Sequence, residues 1–332
     1  MNLYLPVYKR IEEEVVALTN SIFFNDDQLK VFSLAIGDII IRCSVEIEAI
    51  AKELYLRLGG NPNPVDDEGN NRDLYFDTDC MALLVDKWKI NEKKIQIVHP
   101  NMYFSQTVSV LTPLHKAHKR GTSGSKWKQA YQNIKHNRSQ TIKWASVENM
   151  LNAVGALYVL NLYYADESFW AETPIQGRSE FNPESQIFSP FIADATKISM
   201  KKDMGDDQNS EIQDPGLTES IYIQKVTDDS FMQIHKMICR SAIAFTRKAL
   251  TEESYEELKK LPADTRAMEF DAISNQIGFC DIDTIKRELV IGGFHNAINR
   301  KEIILNHDDR IYPSLKYADY LKTDEGIKEI EK

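Results

Sequence analysis

The sequence predicts a mainly α-helical fold with a small β excursion, and three observations carry that expectation. Apolar residues recur at three- and four-residue spacing from Val7 to Ile22 and again, much longer, from Asp26 to Leu58. The run Trp144 to Tyr164 is almost wholly apolar, yet Glu148, Asn149, Asn152 and Asn161 would each be costly in lipid, so it reads as a buried core helix and not a membrane span. Segments rich in Gly, Pro, Asn and Asp separate these runs. With 332 residues and 42% hydrophobic side chains, the chain can bury a sizeable core.

Taken in order, Pro6 suits the first turn of a helix whose inward face is Val7, Tyr8, Ile11, Val15, Leu18 and Ile22. A second helix, Asp26 to Leu58, places Leu29, Phe32, Ile36, Ile39, Ile40, Cys43, Ile47, Ile50, Leu54 and Leu58 on one face and stops at Gly59-Gly60. Asn61 to Asn71 is a surface loop. A third helix, Asp77 to Trp88, leads to a short strand at Lys94 to Val98, bounded by Pro100. After a loop containing Gly121-Thr-Ser-Gly124 come helices at Lys126–Lys143 and Ala145–Tyr164. Beyond Ala165 the texture turns mixed, with strands expected at Ser185–Phe191 and Ser220–Val226, and a mobile polar loop at Lys201–Gly216. Helical periodicity returns at Phe231–Leu250, Ser254–Leu261, Arg266–Ile277 and Ile282–Leu289. The expected organisation is a bundle over 1–165, a mixed β and loop segment over 166–228, and a helical C-terminal region over 229–332.

Composition narrows the function classes. The N-terminal residues lack the basic, apolar and small-residue pattern of a signal peptide, and Cys43, Cys80, Cys239 and Cys280 are widely spaced. A reducing, cytoplasmic setting with small buried thiols is expected. A net charge of −10 opposes general attachment to nucleic acid or anionic membrane, so any anionic partner must be met locally. No P-loop, GxGxxG, GxSxG, HExxH or Cys/His metal signature is present. His115 and His118 lie close in sequence, but their segment offers no carboxylate or thiol; no metal and no cofactor are expected.

The most segregated feature is His115–Lys143, where Lys116, Lys119, Arg120, Lys126, Lys128, Lys135, Arg138 and Lys143 occur without one Asp or Glu. Such a strip focuses an attractive field on a phosphodiester while the acidic remainder repels it. A solvated basic face paired with acidic helices is the alternative. On a helical wheel Lys128, Gln132, Lys135, His136, Ser139 and Lys143 share one face, opposite Trp127, Tyr131 and Ile134. His136 thus sits among cations, a setting suited to proton transfer during metal-free RNA cleavage. Lys128, Gln132, Asn133, Lys143 and Arg120 are the expected substrate contacts, with Lys135 and Arg138 on the phosphate.

Asn149 and Asn152 interrupt the apolar helix and predict a polar seam, because buried amides require partners. Arg42 is the expected partner, on a helix where Asp38, Arg42 and Glu46 are spaced as i,i+4 pairs.

Arg42-Cys-Ser-Val-Glu-Ile-Glu48-Ala-Ile-Ala-Lys52, followed by Trp127-Lys-Gln-Ala-Tyr-Gln-Asn-Ile-Lys-His136-Asn-Arg138 and then Ala145–Leu160, resembles HEPN-type helical domains of bacteria. The resemblance spans 1–164. It implies an antiparallel helical bundle, commonly a homodimer, and in many members a metal-independent RNase of toxin–antitoxin or phage-defence systems; other members are non-catalytic. The catalytic histidine of that family matches His136. Where the family carries an arginine ahead of it, this chain has Ala130, Tyr131 and Gln132, and Arg138 follows instead. Two functions are therefore expected in competition: an RNase using His136, Lys135 and Arg138, or a module holding RNA, a nucleotide or a protein partner without turnover.

Overall fold

The computed structural model describes residues 2–171, 181–195, 216–277, 301–307 and 317–331. Helix α1 (Tyr4–Leu18) lies antiparallel to α2 (Leu34–Arg57), tied at both ends: the Tyr4 hydroxyl donates to Glu53 Oε1 at 2.5 Å, and Arg42 forms a two-pronged bond with Glu14. The predicted helix Asp26–Leu58 is interrupted at its start. Asn25 caps a single 3₁₀ turn at Asp26–Gln28, and the chain then runs extended, with Ser33 N donating to Ala145 O and Val147 N donating to Val31 O. These backbone groups are satisfied by the neighbouring segment, which wins over the local helical period. Ser33 then caps α2 through a bond from Ile36 N, and Gly59, at φ +81, ends it.

The predicted helix at 77–88 forms as a π turn, Phe76–Met81, continued by α3 (Ala82–Trp88). After a one-turn helix α4 (Gln106–Ser109) come α5 (Lys126–Thr141) and α6 (Val147–Ala165). Helix α6 is the bundle's axis: Val154, Ala156, Leu157, Tyr158, Val159 and Leu160 are all fully buried. The three helices expected to share one core, α2, α5 and α6, do so. At Gly37 the packing is tight, since a Cβ built there would lie 3.3 Å from Ala145 Cβ, in the turn before α6, and 3.7 Å from Ile134 Cγ2 of α5. Among the described residues no helix is long and apolar enough to cross a membrane.

The β parts are small. Strands β1 (Phe24–Asn25) and β3 (Met102–Tyr103) pair in parallel, while β2 (Ile95–Ile97) lies antiparallel between β4 (Val110–Leu111) and β6 (Phe188–Pro190). A four-stranded sheet has the order β5 (Phe169–Ala171), β9 (Lys301–Leu305), β8 (Tyr222–Val226), β7 (Ile192–Asp194), with β7 and β8 parallel. Strand β9 falls within a stretch expected to be helical. Its five residues, Lys-Glu-Ile-Ile-Leu, are too short for a helical period to be distinguished, and pairing on both sides decides the outcome. Helices α7 (Asp228–Ala249), α8 (Glu252–Lys259), α9 (Ala263–Ile277), α10 (Tyr317–Leu321) and α11 (Asp324–Glu331) share a second apolar cluster that includes Ile243, Phe270, Tyr320 and Ile330. Of the loop expected at Lys201–Gly216 only Gly216 is described, and the helix expected at Ile282–Leu289 and Cys280 lie outside the described residues.

One buried carboxylate staples α1 to the segment ahead of β6. Glu12 is fully buried, and its Oε1 accepts from the Tyr8 hydroxyl at 2.8 Å, the Ser185 hydroxyl at 2.5 Å, Gln186 N at 2.9 Å and Ile187 N at 3.2 Å. Cys43, Cys80 and Cys239 are buried and free, and burial pushes the thiols of Cys80 and Cys239 up to about 11 and about 12.

Candidate nucleic-acid interface

Helix α5 is oriented by its apolar side. Trp127, Ala130, Tyr131 and Ile134 are buried, and Trp127 Nε1 donates to Pro113 O at 2.8 Å, which pins the first turn to the preceding loop. Gln132, Lys135 and His136 consequently face outward, as the wheel predicts. The continuous helix expected to Lys143 does not form. Asn137 leaves helical geometry at φ −151, ψ 58, and the Thr141 hydroxyl reaches back to within 2.8 Å of Asn133 O and 2.6 Å of Asn137 O. A side-chain oxygen there competes for carbonyls that the helical ladder would use. Lys143 lies beyond the break in a 3₁₀ turn, Ile142–Trp144, so it does not continue the face of Lys135 and His136.

The stretch that is free of acids in sequence is not free of them in space. Asp77, on the π turn, accepts from Arg120 Nε at 2.9 Å and from Lys128 Nζ at 3.3 Å. Lys126 pairs with Glu148 at 3.3 Å, and Arg138 Nη1 pairs with Asp38 Oδ1 at 3.0 Å. Lys128 is the clearest departure from expectation. Its side chain is only 13% exposed, and its ammonium also donates to Ala117 O at 3.0 Å and Lys119 O at 2.7 Å. It holds the 117–119 loop against α5 and has no free donor for a ligand. Arg120 is similarly engaged, bonding Thr78 and stacking 4.0 Å from the Tyr75 ring centroid.

Charge states follow this packing. Burial raises the carboxyl of Asp77, but the Arg120 bond and the Lys128 charge outweigh it and hold it below the usual carboxylate range. Burial lowers the Lys128 ammonium against the pull of Asp77. Burial also raises the carboxyl of Glu48 on α2, which Lys135 and Lys128 oppose. Burial and the nearby Lys119, His115 and Lys128 lower the imidazole of His118, whose Nδ1 is buried without a partner.

What remains at the surface is specific. Lys116, Lys119, Lys135 and Lys143 are exposed and make no ion pair among the described residues. Lys135 Nζ lies 5.3 Å from the Tyr131 ring centroid. Gln132 and His136 are exposed beside it, while Asn133 donates its amide to Gln129 O at 2.8 Å. Of the three residues expected to act together, Lys135 and His136 share the outer face, and Arg138 is drawn past the break toward α2. Among the described residues no three of His, Cys, Asp and Glu converge as metal ligands.

No family model, curated protein or solved structure matches the chain. The chemistry of this surface must be read from its own groups: ammoniums suited to phosphate oxygens, an amide at Gln132, and the solvent-facing imidazoles of His136 and, on the preceding loop, His115.

The polar seam differs from its expected form. Asn149 is buried and donates to Trp144 O at 2.9 Å, and the half-buried Asn152 donates to Glu148 O at 2.9 Å. Both amides are satisfied locally by backbone. Arg42 does not meet them, because α1 offers Glu14 in bidentate geometry. Sequence reasoning missed Asp77, whose place in Asp77-Thr-Asp79 reads as helix-start acid, and Glu14, which looks like one of several solvated acids of α1.

Proposed function

We propose that this chain is a HEPN-like RNA-binding protein that holds the phosphodiester backbone through Lys135, with Gln132 and His136 on the same helix face and the exposed Lys119 and Lys143 flanking it in sequence, and does not cleave it. The observation that carries this reading is the set of exposed, unpaired ammoniums in a protein of net charge −10. Their field is local, so attachment depends on presenting a phosphate chain to this face alone.

The preference for binding over turnover rests on Arg138. Cleavage through the 2′-hydroxyl needs a second cationic group beside the histidine to stabilise the phosphorane, and Asp38 neutralises the arginine that would supply it. Lys135 is the one unpaired cation of α5 that shares the outer face with His136.

The deciding experiment is a fluorescence-anisotropy titration of labelled single-stranded RNA at low and moderate salt, run beside a cleavage gel with chelator present. Salt-sensitive binding that weakens in Lys135→Ala, with intact RNA on the gel, is the expected result. Metal-independent cleavage lost in His136→Ala, with affinity retained, would establish the enzyme instead. Neither binding nor cleavage at low salt would remove RNA as the partner.

A further inference from the structure

Helix α11 is fastened to the second helical cluster chiefly by charge. On α7, Lys236, Arg240, Ile243 and Arg247 fall at i, i+4, i+7 and i+11 and so share one face. Glu325 of α11 pairs with Lys236 Nζ at 3.0 Å and with Arg240, whose Nε also lies 3.8 Å from Glu329 Oε1, and Glu331 pairs with Arg266 of α9. The apolar part of the contact is small. Ile330 is fully buried and Ile327 half-buried, and the Tyr255 hydroxyl of α8 donates to Ile330 O at 2.5 Å.

Such a fastening is weak. A helix of eight residues does not hold its shape alone in water. Lys236 and Arg240 are 44% and 48% exposed, so their ion pairs contribute little and lose strength in salt. The groove beneath has firmer walls, because α7, α8 and α9 pack on one another through Ile243, Leu258 and Phe270. It also continues past its occupant. Arg247 carries the cationic line beyond the end of α11: its guanidinium lies 5.0 Å from the ring centroid of Tyr255, the residue that binds Ile330 O, and its Nε is buried without a hydrogen-bond partner among the described residues.

We propose that α11 is a displaceable cover, and that the groove on α7, α8 and α9 is the docking site for an acidic amphipathic helix of a partner protein. What α11 presents to the groove sets the chemistry of that partner: two glutamates four residues apart, Glu325 and Glu329, then an isoleucine and a further glutamate, Ile330 and Glu331. A partner helix with this pattern and a third acid four residues beyond the second meets Arg247 as well, which α11 does not, and this added pair favours it over the cover. The cations select such a helix because the chain around them carries a net charge of −10 and repels acidic segments elsewhere. The proposal concerns a region apart from the basic strip and does not depend on RNA binding.

The full chain tests this in two steps. In wild type, the amides of α11 are expected to exchange with deuterium at least about a hundredfold faster than those of α7 after correction for intrinsic rates, and about tenfold faster again when NaCl rises from about 0.05 M to about 1 M, while those of α6 keep their rates. Glu325→Lys with Glu329→Lys then sets cation against cation and holds the groove open. A fluorescein-labelled peptide of residues 322–332 followed by Glu-Ala-Ala is expected to bind this variant at least about tenfold more tightly than wild type, because α11 no longer competes. Arg240→Glu added to the variant is expected to abolish that binding, and Arg247→Ala to erase the advantage of the added glutamate. Exchange in α11 as slow as in α7 makes the helix a fixed part of the fold and overturns the proposal, whether or not the double variant folds. So does a peptide that fails to bind the opened variant at about 1 mM, the weak end of specific association.

Discussion

Arg138 and Asp38 are joined across the break in α5, Nη1 to Oδ1 at 3.0 Å, although their positions in the sequence suggest unrelated roles. Asp38 belongs to the second helix and its expected partner is Arg42, one turn on; Arg138 is expected beside His136 on a phosphate. The departure of Asn137 from helical geometry redirects Arg138, and Glu14 takes Arg42. One backbone irregularity thereby changes the charge available around the histidine.

This pairing leads to a difference between neighbours. Lys135→Ala is expected to weaken RNA binding several-fold and to reduce the slope of log affinity against log salt by about 0.7, the value for one phosphate contact on a single strand. Arg138→Ala is expected to change affinity less than about twofold, because its charge is already matched by Asp38. Titrations at several salt concentrations separate the two, and an equal effect of both would show that Arg138 leaves Asp38 to meet RNA.

Asp77 holds two cations of the basic stretch, and Lys128 beside it is nearly buried. Asp77→Asn is expected to cost about 1–3 kcal/mol at neutral pH, measured by urea unfolding, because the Lys128 ammonium loses its counter-charge. The folded carboxyl lies below its ordinary range, so its contribution is present above the unfolded pKa and is lost as pH falls through the folded one. The stability gap between wild type and Asp77→Asn should therefore close as pH drops below about 4. A gap that persists into that acid range would assign the effect to packing.

Glu12 collects four donors on one buried oxygen. Glu12→Ala removes the shared acceptor, leaving the Tyr8 and Ser185 hydroxyls only each other at 2.8 Å, Ile187 N only Ser185 Oγ at 3.1 Å and Gln186 N without its carboxylate, and is expected to destabilise by about 3–5 kcal/mol. Tyr8→Phe removes a single donor and is expected to cost about 1–2 kcal/mol. Chemical denaturation of both variants checks the ranking; equal losses would mean that the carboxylate is not the hub.

Gly37 allows α2 to approach the turn before α6. Gly37→Leu drives a branched side chain into the 3.3 Å gap to Ala145 and is expected to lower stability by about 2–3 kcal/mol or more. Thermal unfolding within a degree or two of wild type would show that the helices can separate there at little cost.

The amino-acid sequence by itself determined the helices that carry an uninterrupted apolar face: α1, the length of α2 beyond Ser33, the inward side of α5 and the whole of α6 are legible because burial of a stripe requires its period. It also determined that Lys135 and His136 face outward together, since both lie opposite Trp127, Tyr131 and Ile134. Tertiary structure alone decided what neutralises what. Asp77, Glu148 and Asp38 reach the basic stretch from distant segments, and a charge pair depends on distance in space, which no local pattern encodes. The same holds for β9, whose backbone groups are satisfied only by strands that fold beside it, and for the break at Asn137, where Thr141 competes for the carbonyls of a helix that its sequence would otherwise continue.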